Sequence, residues 1–190
     1  MTSVYHPSLV PPRIFIALDP GLRNPGIAVF IDGALYRAGR VKIPAATHKI
    51  EDIAERSREV AMLIYNDLEE GAEQDAEQVV LEWPQIYKAT RSKGDPNDLP
   101  PLVGVAMYFA GRLAAPVKSY LPRTWSGGLP KATTGDATVS PRGRMIWGLL
   151  SAAERDALDV SHDAIDATGI GLYHLGRLVR RRVYPGATEG

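Results

Sequence analysis

Four carboxylates in this 190-residue chain stand where a carboxylate needs a reason. Asp19 closes the apolar run RIFIALD (13–19). Glu82 interrupts VVLEWPQIY, with Val79, Val80 and Leu81 before it and Trp83, Pro84, Ile86 and Tyr87 after it. Asp163 and Asp166 lie three apart in SHDAIDATGIGL, a spacing that puts both on one face of a helix. Carboxylates brought together repel, and burying them is costly unless something offsets the charge. Divalent cations do so. With oxygen donors, four histidines and no cysteine, the ligand set favours Mg²⁺ or Mn²⁺ over zinc. Two such ions about 4 Å apart can activate a water and stabilise the leaving oxygen in phosphodiester cleavage.

Each residue also has a plainer reading. Asp before Pro-Gly is a common turn former, which accounts for Asp19 alone. Asp163 falls in the first turn of a helix, where an acid complements the macrodipole. Asp166 can be a solvated helix residue, and His162 can cap, cover apolar surface or do nothing. Glu82 is the hardest to explain this way, because a solvated role does not suit its apolar neighbours. Taken jointly, and in the chain order of elements that follows, the four favour a shared site.

Those elements are legible in outline. RIFIALD is a continuous apolar run and reads as a buried strand. GIAVFI (26–31) and ALYRAGRV (34–41) flank Asp32-Gly33, a dipeptide that favours a two-residue type I′ hairpin. From about His48 to Leu68, apolar residues at helical spacing among charges predict an amphipathic helix. After the polar connector EEGAEQDAEQ, VVLEW is a fourth strand. The basic, Gly- and Pro-containing loop 88–97 leads to Asp98, a candidate cap for a helix with Pro100 and Pro101 in its first turn. APVKSYL is a fifth short strand. Residues 122–143, with four glycines and three prolines, read as a long loop of the functional or mobile kind. Ser140-Pro141 can start a helix, SAAE (151–154) has the capping-box pattern, and Ser161 is a candidate cap for a last helix from His162 to about Arg180.

Three antiparallel strands followed by two crossover strands, all flanked by helices, is the ribonuclease H-like α/β arrangement. It makes strands one and four neighbours and lays the last helix across them, so the four carboxylates converge. The expected organisation is a mobile N-terminal tail (1–12), one nuclease domain (13–183) and a C-terminal tail (184–190).

Composition sets outer bounds. The chain is 45% hydrophobic and 23% charged, ordinary for a soluble globular protein. No run of eighteen apolar residues suits a membrane span, the start lacks a signal-peptide pattern, and the absence of cysteine excludes disulfides. A cytoplasmic location, compatible with the absence of cysteine, is the expectation. The net charge of zero hides segregation. Residues 51–85 hold eleven acids against Arg56 and Arg58, whereas residues 86–150 hold nine basic residues against three acids. A further basic cluster, RLVRRR, includes Arg177. Such a surface can attract a polyanion, although a solvated face is the commoner meaning of a charge run.

With these residues in place, the chain resembles the RuvC-type Holliday-junction resolvases, particularly their divergent bacteriophage forms. The resemblance rests on ALDPGLRNPGIAVF, VVLEWPQIY, KGDPNDLPPLVGVAM and HDAIDATGIGLYHLGR, which together run from the first strand to the last helix. It implies a metal-dependent endonuclease that resolves branched DNA by paired nicks as a homodimer, using two Mg²⁺ ions for which Mn²⁺ can substitute. By position, Asp19, Glu82, Asp163 and Asp166 match the family's four acids. Asp19 would serve both ions, Glu82 and Asp166 would each complete one shell, and Asp163 would hold the ion that activates water. His162, beside Asp163, is an auxiliary candidate, since some members carry a histidine at the place of the third acid. Members often carry an aromatic wedge after the strand-four Glu. Tyr87 is the better candidate here, whereas Trp83 reads as core. Lys88, Arg91 and Lys93, with Lys118, Arg123 and Lys131 about the fifth strand and its loop, would position phosphates. The acid-rich helix 51–69 would face away from DNA, and LPPLVGVAMYFAGRL is apolar enough to meet both the sheet and a second subunit. The 122–143 segment departs from a compact bacterial resolvase.

Other readings stay open. A ribonuclease H or flap-type nuclease shares the fold, and so does a non-catalytic DNA-branch-binding module. An actin-like ATPase shares the opening Asp-Pro-Gly, but such chains repeat that motif and this one does not.

Overall fold

The computed structural model describes residues 13–69, 76–84, 96–127, 129–130 and 136–178. Both expected tails, Tyr87, Lys88, Arg91, Lys93 and Lys131 lie outside these residues.

Five strands form one mixed sheet in the order β3-β2-β1-β4-β5. β1 (Ile14–Asp19), β2 (Gly26–Ile31) and β3 (Ala34–Arg40) make an antiparallel meander. β4 (Gln78–Glu82) and β5 (Val117–Tyr120) add in parallel through helical crossovers, α1 (Ile53–Glu69) and α2 (Leu99–Leu113). The β2–β3 turn has positive φ at both Asp32 (51°) and Gly33 (81°), the type I′ geometry that matches strand twist.

Strand alternation separates two cores. Ile14, Ile16, Leu18, Ile27, Val29, Val79 and Leu81 face α1 and α2, where Val60, Ile64, Val105 and Phe109 are fully buried. Phe15, Ala17, Ala28, Phe30 and Val80 face the opposite way. There they meet α6 (His162–His174) together with parts of α3 (Pro122–Ser126) and α4 (Pro141–Leu149). Each fully buried aliphatic or aromatic side chain contributes about 1.5–3 kcal/mol, so both faces of the central strands are covered for good reason. The architecture is the expected ribonuclease H-like one. Among the described residues, no helix is long and apolar enough to cross a membrane.

The boundaries differ from the sequence expectations in four places. The amphipathic helix begins at Ile53, not His48, because Thr47–Lys49 turns separately as a 3₁₀ helix. The 122–143 segment contains α3, a 3₁₀ turn at Ala137–Val139 and the start of α4, whose Ser140 hydroxyl accepts from Gly143 N. Its glycines and prolines obscure helices only five and nine residues long. The last helix stops at His174 rather than near Arg180. Gly176 takes a left-handed φ of 70°, Gly176 N donates to Tyr173 O at 3.0 Å, and Arg177 N donates to Leu172 O at 3.0 Å, a Schellman ending. Finally, Arg177 belongs to a structural knot rather than to a basic cluster on offer to a polyanion. It pairs with Glu154 of α5 (Ala152–Asp156), Nη2 donating to Oε2 at 2.9 Å, and also donates to Gly33 O and Leu149 O.

Candidate active site

The parallel register of β1 and β4 pairs Leu18 with Leu81, which sets Asp19 and Glu82 side by side at the carboxyl ends of adjacent strands. Neighbouring strands lie about 4.8 Å apart, so the two carboxylates start from one narrow ledge. Alternation gives them a common face. Asp19 continues the row of Phe15 and Ala17, and Glu82 continues that of Val80, so both project toward α6.

α6 comes down onto that ledge because β2 opens with glycine. Gly26 pairs with Asp19 across the sheet. A Cβ at Gly26 would collide with the Asp163 carbonyl, so only glycine admits the first turn of α6 this close. Ser161 caps the helix, its hydroxyl accepting from Ala164 N at 3.4 Å. Asp163 thereby sits half-buried above the Asp19–Gly26 pair, with His162 beside it. Asp166, one turn on, is only 2% exposed.

Two side chains that sequence reasoning leaves out of the site hold its acids. Arg142, in the first turn of α4, directs Nη1 at both Asp166 oxygens, at 3.0 Å each. Its remaining donors go to Leu129 O, Nε at 3.2 Å and Nη2 at 2.8 Å. Trp125 of α3 donates its indole N–H to Glu82 Oε2 at 2.6 Å. The indole lies against α6 at Gly169, where a Cβ would come within 2.6 Å of the ring, and the Arg142 guanidinium stands 5.1 Å from the ring centre. Glu82, Trp125, Arg142 and Asp166 therefore form one connected chain from β4 to α6. The sequence carries no local sign of it, because the partners are 43 and 24 residues apart.

Two of these charges are offset within the chain. Arg142 offsets Asp166, and Trp125 gives Glu82 a charge-assisted hydrogen bond. The donor chemistry of the site, oxygen throughout, fits a hard divalent ion. The side-chain positions do not make a finished shell: among the described residues, no three His, Cys, Asp or Glu are grouped to hold one.

β5 extends the ledge. Tyr120 pairs with Glu82, and its hydroxyl shares a 3.0 Å hydrogen bond with His174 Nδ1 at the far end of α6. Burial, then the neighbouring Tyr173, raises the Tyr120 phenol above its ordinary range. Burial, then nearby Lys118, lowers His174. Lys118 on edge strand β5 and Arg123 on α3 are exposed, and Trp83 is half-buried against the α1–α2 core.

No protein-family model matches the sequence. No curated protein matches it either. Among solved structures, the chain is similar to T. thermophilus RuvC in complex with a Holliday junction substrate. The TM-score is 0.58 at 22% identity, over 86% of this chain and 92% of that one. It is similar also to a Thermus thermophilus RuvC structure, with a TM-score of 0.54 at 17% identity over 86% and 97% of the two chains. The shared property at these identities is the fold.

Proposed function

We propose that this RuvC-like fold carries a structure-selective endonuclease, a divergent, bacteriophage-like member of the resolvase group that opens Holliday junctions or other branched DNA by paired nicks. The observation that carries the reading is the ledge itself. Asp19 and Glu82 stand abreast at two parallel strand ends, under the acid-bearing first turns of α6. A fold neighbour solved with a Holliday junction adds support for branched DNA as the substrate class.

Asp19, Glu82, Asp163 and Asp166 are the residues that would hold two Mg²⁺ ions, or Mn²⁺ in their place, with Asp19 common to both. When bound, such ions supply an activated water and charge stabilisation for the leaving oxygen, leaving a 5′-phosphate and a 3′-hydroxyl. The chain's own groups do the rest. Trp125 and Arg142 fix Glu82 and Asp166 against α3 and α4. His162, at the start of α6, is an auxiliary group beside the scissile phosphate. Lys118, exposed on β5, and Arg123, exposed on α3, would grip phosphates without reading sequence, as would Lys88, Arg91, Lys93 and Lys131. Tyr87 would stack on an unpaired base, worth about 1–3 kcal/mol. Two copies acting as a homodimer would place two such ledges on the two strands to be cut. The same reading puts its action in the cytoplasm of a bacterial cell or a phage-infected host.

The test is cleavage of a labelled four-way junction beside duplex, flap and RNA–DNA hybrid, with Mg²⁺, Mn²⁺ or EDTA. The junction should be cut fastest, and only with metal. Far faster cutting of the hybrid would transfer the assignment to a ribonuclease H, and no cutting of any substrate would end the catalytic reading.

A further inference from the structure

The sheet end that holds the acids continues past them on the β3 side. Arg40 of β3 pairs with Gly26 of β2, and Gly26 pairs with Asp19 of β1. With Glu82 beside Asp19 and Tyr120 beside Glu82, one row of residues crosses all five strands. Directly paired residues share a face, so Arg40 lies on the α6 face with Asp19 and Glu82. Gly26 marks that face, since the Cβ it lacks would meet the Asp163 carbonyl of α6. Arg40 stands two strand spacings, about 10 Å, from Asp19.

The chain does not fray beyond Arg40. Val41 N donates to Pro25 O and Ile43 N to Arg23 O, both at 3.0 Å, and Val41 and Ile43 are buried in the α1–α2 core. Alternation then returns Lys42 to the Arg40 side. Both cations are exposed. From Gly33 to Ile50 the chain carries Arg37, Arg40, Lys42 and Lys49 and no acid. Arg37, on the opposite face, is used within the fold, where it pairs with Asp67 of α1 at 3.0 Å. Arg40 and Lys42 have no ion-pair partner among the described residues. Asp159, whose N–H bonds Ala38 O at 2.9 Å, brings one exposed acid to this edge, fewer than its cations.

We propose that Arg40 and Lys42 grip the backbone of the DNA strand being cut, about three nucleotides from the nick, on the β3 side of the ledge. The offset is the spacing of about 10 Å divided by a rise of about 3.4 Å per nucleotide along one strand. The inference rests on the nuclease reading and adds a path to it. The strand follows the row across the sheet end, between the β5 edge with its exposed Lys118 and the β3 edge. An acidic ledge repels a polyanion, and cations on a fixed strand beside it offset that repulsion. Long exposed cations suit phosphates, which they hold without reading sequence.

The experiment is junction binding by the full chain in EDTA, titrated at several salt concentrations, for wild type, Arg40→Gln, Lys42→Gln, the double variant and Arg13→Gln. Each single edge variant should bind about threefold to tenfold more weakly and lower the salt slope by about one, and the double variant should lower it by about two. Arg13→Gln removes the same charge from an exposed residue at the opposite end of β1 and should match wild type. All three side chains are exposed, so every variant should melt with wild type. Ethylating the phosphate about three nucleotides to one side of the nick should weaken binding by wild type but not by Arg40→Gln. Wild-type affinity and slope in both edge variants would overturn the contact and leave the nuclease reading intact. So would an equal weakening by Arg13→Gln, or an ethylation effect unchanged in Arg40→Gln. Wild type that binds neither junction nor duplex would overturn both.

Discussion

Arg142 gives its whole guanidinium to two partners, the Asp166 carboxylate and the Leu129 carbonyl, and is itself only 11% exposed in its side chain. Arg and Asp at such burial contribute little net stability as a pair, but removing one partner strands the other in a poorly solvated place. Arg142→Gln should therefore lower stability by about 3 kcal/mol, a fall in melting midpoint of about 6–12 °C. In an Asp166→Asn background the same change should cost much less, and differential scanning calorimetry of the four proteins measures that coupling. Full additivity would show that the ion pair does not organise the site. Trp125 plays the matching part for Glu82. Neither partner is readable from sequence, because Arg142 and Trp125 lie in a Gly- and Pro-rich segment whose short helices are set by tertiary contact rather than by periodicity.

At the level of elements, the strands are legible because each is an apolar run bounded by turn residues, and the caps at Ser151 and Ser161 because their chemistry is local. The end of α6 is harder to read although Gly176 marks it, since apolar spacing in the segment after Gly176 suggests a longer helix. That ending matters for Arg177, which the Schellman turn delivers to Glu154. Glu154 also accepts from Leu35 N at 3.0 Å and Ser151 N at 2.8 Å, so one carboxylate ties α5, β3 and the α6 terminus together. Arg177 first, with the backbone donors, holds Glu154 far below its ordinary value of 4.5. A depressed folded pKa means the stabilisation is complete above pH 4.5 and fades as pH falls below it. Glu154→Gln should lose about 2 kcal/mol at pH 7. The gap to wild type should narrow steadily in acid below pH 4.5, as wild type gives up the same contribution. A gap that stays constant into strong acid would mean that the Glu154 charge is not what ties these elements.

On the scale of the whole molecule, the charge segregation read from composition acquires a geometry only in part. The acid-rich α1 covers one face of the sheet, while Lys118 and Arg123 are exposed on β5 and α3. What the sequence can state well is that Asp19 and Glu82 end adjacent strands and that Asp163 and Asp166 share the start of the last helix, because strand order and spacing fix both. It cannot state how each carboxylate is held, since that depends on which loops come together. The central claim is that this cluster cuts DNA, and Asp19 is where it is most exposed to failure. The deciding measurement compares junction cleavage by wild type and Asp19→Asn in Mg²⁺, with junction binding followed in parallel in EDTA. Asp19→Asn should fold and bind like wild type yet cut no faster than the metal-free control. Cutting by Asp19→Asn at the wild-type rate, or its failure to fold, would contradict the account by making Asp19 a structural turn residue.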